Sequence, residues 1–192
     1  MPILFSNVRI ARPMDPGHGG QPFHCHAGYP GFALVGLAVR SGAWIDQVTP
    51  IFAEMLEHGT LGAEFYGASF GGGGGSRREL RAAPGHVITG MQTRSGSFVD
   101  GIRLLQTPWD GELATSGSSW SAWQVGDLGG GSERPDIVAE PAGHAVAIGI
   151  TGRAGAYLDT LGLITADLTR FVGGSAHVAT ARGSSKTAQA LG

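Results

Sequence analysis

The stretch that decides the fold is Gly36-Leu-Ala-Val-Arg40-Ser-Gly42-Ala-Trp44-Ile-Asp46-Gln-Val48. The same order of residue types recurs without a gap at residues 90–102 and 149–161. Each copy reads glycine, apolar, two variable residues, arginine, small, glycine, small, aromatic, aliphatic, aspartate, variable and aliphatic. Three gapless copies of so restrictive a pattern indicate that one supersecondary unit is repeated three times.

A glycine cluster precedes each copy of the motif, at residues 17–20, 71–75 and 129–131. Glycine accounts for 34 of the 192 residues, well above its usual share of about 7%. Each interior glycine costs a helix about 1 kcal/mol, whereas turns and bulges between strands accept glycine readily. The composition and the repeat together predict an all-β domain.

Within each unit the pattern predicts two strands joined by a tight turn, such as residues 32–39 and 44–52 around Ser41-Gly42. The predicted repeats span about 14–66, 67–126 and 127–166, and a tryptophan-containing segment at 107–126 is expected to be an insertion. We expect residues 1–170 to form the domain and residues 171–192 to form a flexible C-terminal tail.

Charge and composition exclude several classes of function. The net charge is −2, which provides no basic surface for nucleic acid. No apolar run approaches the roughly 18 residues of a membrane span. The N-terminus lacks the pattern of a Sec signal peptide, so we expect a cytoplasmic protein or one released by a non-classical route. The single cysteine, Cys25, excludes an internal disulfide.

Two smaller motifs carry weak signals. His18, His24, Cys25 and His26 lie close together in the sequence, but no further metal ligand is evident. The run Gly67-Ala-Ser69-Phe-Gly71 matches the nucleophile elbow of hydrolases, yet glycines follow it where the elbow requires a helix. We therefore predict neither a metal site, nor a cofactor, nor a serine nucleophile.

The triple motif and the three glycine loops together resemble the jacalin-related lectins, and most closely the griffithsin-type members, whose three repeats all keep a Gly-x-aromatic-x-Asp motif. The resemblance covers residues 14–166. It implies a β-prism I fold, with three four-stranded Greek-key sheets around a pseudo-threefold axis. It also implies metal-independent binding of mannose- or glucose-type sugars, and a first glycine loop that lies well inside the chain favours mannose over galactose.

The chemistry of the motif fits a sugar site. An ionised aspartate accepts hydrogen bonds from two neighbouring hydroxyls, and backbone N–H groups of a glycine turn approach the ligand without a Cβ in the way. By the resemblance, each site combines one motif with the glycine loop of the next repeat. The predicted carbohydrate-binding residues are Gly42, Ala43, Trp44 and Asp46 with Gly74 and Gly75; Gly96, Ser97, Phe98 and Asp100 with Gly130 and Gly131; and Gly155, Ala156, Tyr157 and Asp159 with Gly19 and Gly20.

Three sites would make a multivalent lectin rather than an enzyme. Its partners would be mono- and oligosaccharides or glycoproteins, and it would exist as a monomer or a homo-oligomer. Two alternatives stay open: a prism scaffold whose aspartates only tie turns, and a glycan-active hydrolase. Each motif aromatic residue fits either a pocket wall or the core, and each motif arginine is expected at the surface or in a salt bridge with the motif aspartate.

Overall fold

The computed structural model of this chain describes residues 3–11, 19–126 and 131–170. The regular structure in these ranges is antiparallel strand, apart from one short 3-10 helix at Thr115–Gly117. No helix in the described ranges is long and apolar enough to cross a membrane. The tail expected at 171–192 and the predicted site residue Gly130 lie outside the described residues.

The three motifs form three long hairpins. In chain order the strands are β1 (Ile3–Ala11), β2 (Gln21–His26), β3 (Phe32–Ser41), β4 (Ile45–Met55), β5 (Leu61–Tyr66), β6 (Phe70–Gly71), β7 (Ser76–Arg81), β8 (His86–Ser95), β9 (Val99–Pro108), β10 (Ser119–Trp120), β11 (Gln124–Val125), β12 (Ser132–Glu133), β13 (Ile137–Val138), β14 (Ala145–Ala154) and β15 (Leu158–Arg170). The motif hairpins are β3–β4, β8–β9 and β14–β15.

Each hairpin forms the centre of a sheet four strands wide. The order is β5-β4-β3-β7 in the first sheet, β10-β9-β8-β12 in the second and β1-β15-β14-β2 in the third. The short strands β6, β11 and β13 pair with β4, β9 and β8, so they continue β5, β10 and β12 rather than widen the sheets. In each order the fourth strand returns beside the first, as in a Greek key. The predicted fold class is therefore confirmed.

Each sheet combines strands from two repeats of the sequence. The strands that follow the three glycine clusters are β2, β7 and β12, and they pair with β14, β3 and β8 of the preceding repeat. Because β1 pairs with β15, the first and last described strands close the third sheet together. This exchange brings each motif beside the glycine loop of the next repeat.

The first glycine of each motif lies at a β-bulge, because the strand register shifts just before Gly36, Gly90 and Gly149. A Cβ on Gly36 would lie 2.7 Å from the carbonyl oxygen of Leu80, and a Cβ on Gly90 would lie 2.9 Å from that of Ile137. Glycine thus allows the edge strand to pack directly against the bulge.

The apolar positions of the motif form the core, in one cluster drawn from all three sheets. The first strands of the three hairpins, β3, β8 and β14, contact one another around the axis. Burial of each aliphatic side chain stabilises the fold by about 1.5–3 kcal/mol. The shared core residues are Leu37, Met91 and Ile150, Ile45, Val99 and Leu158, and Val48, Ile102 and Leu161.

The segment at 107–126, which we expected to be an insertion, supplies part of the second sheet. Its strands β10 and β11 pair with β9 as one broken edge strand. Before them, Trp109 is buried and donates its Nε1–H to the carbonyl oxygen of Leu56 at 3.0 Å, which attaches the segment to the first sheet. Strands of two residues are too short to show an alternating pattern in the sequence.

Candidate functional site

The three motif turns share one backbone geometry, and the motif aspartate is the second residue of the returning strand in each hairpin. In every turn the second motif glycine donates its N–H to the carbonyl oxygen of the aromatic residue. These bonds are Gly42 to Trp44 at 3.1 Å, Gly96 to Phe98 at 3.1 Å and Gly155 to Tyr157 at 2.9 Å. The same chemical groups are therefore presented three times.

The three motif rings pack against one another. The ring centroids of Trp44 and Phe98 are 5.2 Å apart, and that of Tyr157 lies 4.9 Å from each of them. Aromatic pairs at such distances stabilise a fold by about 0.5–1.5 kcal/mol beyond their burial. The ring contacts place all three turns at one end of the molecule, around its axis.

The motif aspartates are buried beside their turns; Asp46, Asp100 and Asp159 are 6%, 4% and 8% exposed. Oδ2 of Asp46 accepts the N–H of Gly42 at 2.8 Å. In the described part of the chain, Oδ1 of Asp46 makes no hydrogen bond. Every buried side-chain oxygen in that part has a partner, so Oδ1 is not a buried atom and solvent reaches it. One carboxylate oxygen thus orders the turn, and the other is free to accept from a ligand.

The glycine loop lies directly against each motif carboxylate. A Cβ on Gly74 would lie 2.5 Å from Oδ1 of Asp46. The equivalent glycines, Gly131 and Gly19, would collide through a Cβ with the carboxylates of the second and third motifs. Glycine at these positions keeps side chains away from the carboxylate and leaves backbone beside it.

The motif arginine holds the glycine loop by its carbonyl oxygens. Arg40 donates from Nε to Gly74 and from Nη2 to Gly75, both at 2.8 Å. Arg153 donates in the same way to the loop at Gly19 and Gly20, at 2.7 and 2.8 Å. The planar guanidinium provides two parallel donors for two successive carbonyls. The expected salt bridge with the motif aspartate is replaced by this contact with the loop backbone.

The second site holds its loop differently. Arg94 donates from Nε to the carbonyl oxygen of Gly131 at 3.3 Å. The ring centroid of Trp123, from the 107–126 segment, lies 5.8 Å from the Arg94 guanidinium. Arg134 also donates to the side chain and the carbonyl oxygen of Ser95, which precedes the turn, at 2.6 and 3.1 Å.

Burial changes the acidity of two motif aspartates. Desolvation raises the pKa of Asp100, while the backbone N–H of Gly96, the positive charge of Arg94 and the backbone N–H of Gly131 oppose that increase. Desolvation likewise raises the pKa of Asp159, and the positive charge of Arg153 opposes it. In both carboxyl groups, burial therefore disfavours the charged form.

Backbone contacts link neighbouring sites. A Cβ on Gly72, in the loop of the first site, would collide with the backbone of Ala156 in the third motif. A Cβ on Gly126, which follows β11, would lie 2.6 Å from the carbonyl oxygen of Ala43 in the first motif. The segments beside the first and second sites thus also contact the turn of a neighbouring motif.

The other motifs of the sequence do not assemble into a centre. Oγ of Ser69 lies 2.7 Å from Oγ1 of Thr49, a hydroxyl rather than a base. Among the described residues, no three His, Cys, Asp or Glu side chains come together as metal ligands. His18 lies outside the described residues.

The structure brings each motif together with the predicted loop, wherever the loop is described. Sequence reasoning missed the role of Arg40, Arg94 and Arg153. Their recurrence at one motif position was the signal that could have revealed it.

Comparison with known proteins places the fold. No family model matches the chain, and no curated protein matches its sequence. The Malaysian banana lectin matches with a TM-score of 0.54 at 16% identity, over 85% of this chain and 98% of that one. A mannose-binding jacalin-related lectin from Ananas comosus matches with a TM-score of 0.54 at 16% identity, over 86% and 98%. Artocarpin, in a mannotriose complex, matches with a TM-score of 0.59 at 15% identity, over 83% and 98%.

These likenesses establish the architecture: the chain has the β-prism fold of the jacalin-related lectins. The closer resemblance to griffithsin-type members stays a prediction.

Proposed function

We propose that this chain is a carbohydrate-binding lectin that recognises mannose- or glucose-type sugars, without a metal, at up to three sites on one end of the prism. The observation that carries the proposal is the pairing of each motif carboxylate with a side-chain-free glycine backbone. A monosaccharide offers neighbouring hydroxyls that are both donors and acceptors, and this pairing places a carboxylate acceptor beside backbone donors.

The first site shows how binding would proceed. Oδ1 of Asp46 accepts a sugar hydroxyl in a charge-assisted hydrogen bond, while N–H groups of the loop at Gly74 donate to sugar oxygens. Arg40 does not touch the sugar; it is a positioning residue that holds the loop carbonyls, so that the loop N–H groups are oriented before the ligand arrives. Such pre-organisation lowers the entropy cost of binding.

The neighbouring lectins support the sugar class. One neighbour is described as mannose-binding, one as a mannotriose complex, and the Calsepa lectin as a complex with a biantennary N-glycan. Three sites around one ring cluster would let a single chain engage several arms of a branched glycan. Linked sites raise avidity by about 10²–10⁴-fold where the geometry fits.

The site favours sugar binding without turnover over glycoside hydrolysis. Glycoside hydrolysis uses two carboxyl groups about 5–10 Å apart, whereas each repeat contributes one motif aspartate. The solvent-reached Oδ1 of Asp46 favours sugar binding over the scaffold alternative, because a carboxylate that only tied a turn would have no need of a side-chain-free loop beside it.

Retention on immobilised mannan, with and without free methyl α-mannoside, tests the proposal. We expect retention that the free sugar relieves, no release of sugar products, and loss of retention in the triple variant Asp46→Asn, Asp100→Asn, Asp159→Asn. Asp136→Asn, at an exposed aspartate outside the sites, is the matched control. Unchanged retention by a folded triple variant would overturn the proposal; absence of retention by the unmodified chain would require a broad glycan array to identify another sugar.

A further inference from the structure

An open groove of about 540 Å³ runs along the outer face of the first sheet, beside the first motif hairpin. Arg40 and the nearly buried Ala38 of β3 lie beside Arg77 and Glu79 of the edge strand β7, and Gln47 and Tyr66 line the other side. The groove lies within the range of about 300–1,000 Å³ that is typical of ligand sites.

The single acidic group of the groove lining is already saturated. Glu79 accepts from the Tyr66 hydroxyl at 2.8 Å, from Nη2 of Arg77 at 3.1 Å and from Nε of Arg81 at 2.7 Å. These donors hold the pKa of Glu79 below its ordinary value, with Arg81 as the largest cause. The carboxylate is therefore fully charged at neutral pH and has little capacity left to accept from a ligand.

The free polar groups of the groove are mainly donors. Within the described part of the chain, the Gln47 amide makes no hydrogen bond, and Arg77 uses one terminal nitrogen while its side chain stays 56% exposed. Arg40 uses Nε and Nη2 for the glycine loop and retains its other terminal nitrogen. The groove lining thus contains two guanidinium groups and one carboxylate that is already paired with arginines, so the net charge of the lining is positive.

The equivalent face of the second sheet is filled by the chain itself. There Arg103, which holds the register position of Thr49, donates from Nε to Gln92 at 2.8 Å. Its guanidinium lies 4.8 and 4.9 Å from the ring centroids of Trp120 and Trp123. The pseudo-threefold fold therefore closes this surface in one sheet and leaves it open in another.

We propose that the groove on the first sheet is a further binding site, for a saccharide unit that carries a carboxylate, such as a hexuronate. The carboxylate pairs with Arg77, the ring hydroxyls bond to the Gln47 amide and to the hydroxyl pair of Thr49 and Ser69, and the small Ala38 side chain leaves room for the ring. Charge complementarity selects the acidic sugar over a neutral one. The groove shares Arg40 with the loop contact of the first motif site, but none of the proposed sugar contacts in the groove is made by a motif aspartate or a glycine loop.

The test is a calorimetric or NMR titration with methyl β-glucuronoside, in the full chain and in the triple variant Asp46→Asn, Asp100→Asn, Asp159→Asn. For an open site and a ligand of this size we expect a dissociation constant on the order of 1 mM, unchanged in the triple variant and weakened by added salt. Methyl β-glucoside and acetate, as neutral-sugar and bare-carboxylate probes, are expected to bind at least about tenfold more weakly.

Arg77 and its neighbour Arg78 provide a matched pair of variants. They are consecutive on β7, so their side chains point to opposite faces of the sheet, and Arg78 does not line the groove. We expect Arg77→Gln to weaken glucuronoside binding about tenfold or more and Arg78→Gln to leave it unchanged. Equal effects of the two variants, equal binding of acetate, or no binding of the glucuronoside by the folded chain would each overturn the proposal.

Discussion

The first and second candidate sites carry the same motif but hold their glycine loops differently. Arg40 makes two hydrogen bonds of 2.8 Å to the loop of the first site, whereas the bond from Arg94 to the loop of the second is 3.3 Å long. At the second site, Trp123 also lies near the arginine. The motif therefore builds the pocket in both sites, whereas the neighbouring chain segment, 107–126 at the second site, determines how firmly the loop backbone is held.

The largest expected effect comes from the aspartate itself. At its own site, Asp46→Asn should lower sugar affinity about 10- to 100-fold, because the charge-assisted hydrogen bond from the sugar to Oδ1 contributes about 1.5–3 kcal/mol. If the first site is better organised, Asp46→Asn should reduce retention on mannan more than Asp100→Asn does. Calorimetry with methyl α-mannoside measures the affinity of each variant, with Asp136→Asn as control. A larger loss from Asp100→Asn than from Asp46→Asn would reverse the ranking of the two sites.

The arginines test the comparison directly. Arg40→Lys keeps the charge but loses one of two loop bonds, so we expect about a tenfold loss of affinity when the first site alone is active, in an Asp100→Asn, Asp159→Asn background. Arg94→Lys should cost about threefold in the background that leaves only the second site. Equal losses in the two backgrounds would show that the loops are held equally well.

Acidification should act on sugar affinity and on stability with opposite signs. Protonated Asp100 loses charge-assisted bonds, so affinity at the second site should decline as the pH falls towards the raised pKa, above the ordinary value of about 3.9. Between the raised pKa of the folded state and the ordinary pKa of the unfolded state, the folded state binds more protons. This carboxyl group therefore makes the free energy of unfolding rise as the pH falls. Affinity titrations and urea unfolding of the chain and of Asp100→Asn measure both; a variant with an unchanged pH profile of unfolding contradicts this origin.

The smallest expected effect belongs to the 107–126 segment. Trp123→Ala removes a ring near Arg94, a contact that contributes about 0.5–1 kcal/mol, so affinity at the second site should decline about threefold. The first site should not respond. Calorimetry in the two single-site backgrounds distinguishes this local effect from general destabilisation, which would weaken both sites.

The sequence predicted the hairpins, the core positions and the pairing of each motif with a glycine loop. The reason is that a repeated local pattern constrains each hairpin three times: Leu37, Met91 and Ile150 occupy one motif position and one core. The broken strand within 107–126 escaped prediction because its pieces are two residues long and owe their strand form to β9.

The amino-acid sequence specifies which residues recur and which of them are apolar. This pattern suffices for three similar sheets, because the periodicity of apolar side chains is a local property of each strand. Three features follow from the tertiary structure alone. Arg40 bonds to the glycine loop instead of forming a salt bridge with Asp46, the motif rings meet on the axis, and the outer face of the first sheet stays open. Those choices depend on contacts between residues of different repeats, and such contacts form only when the three sheets close around their common core.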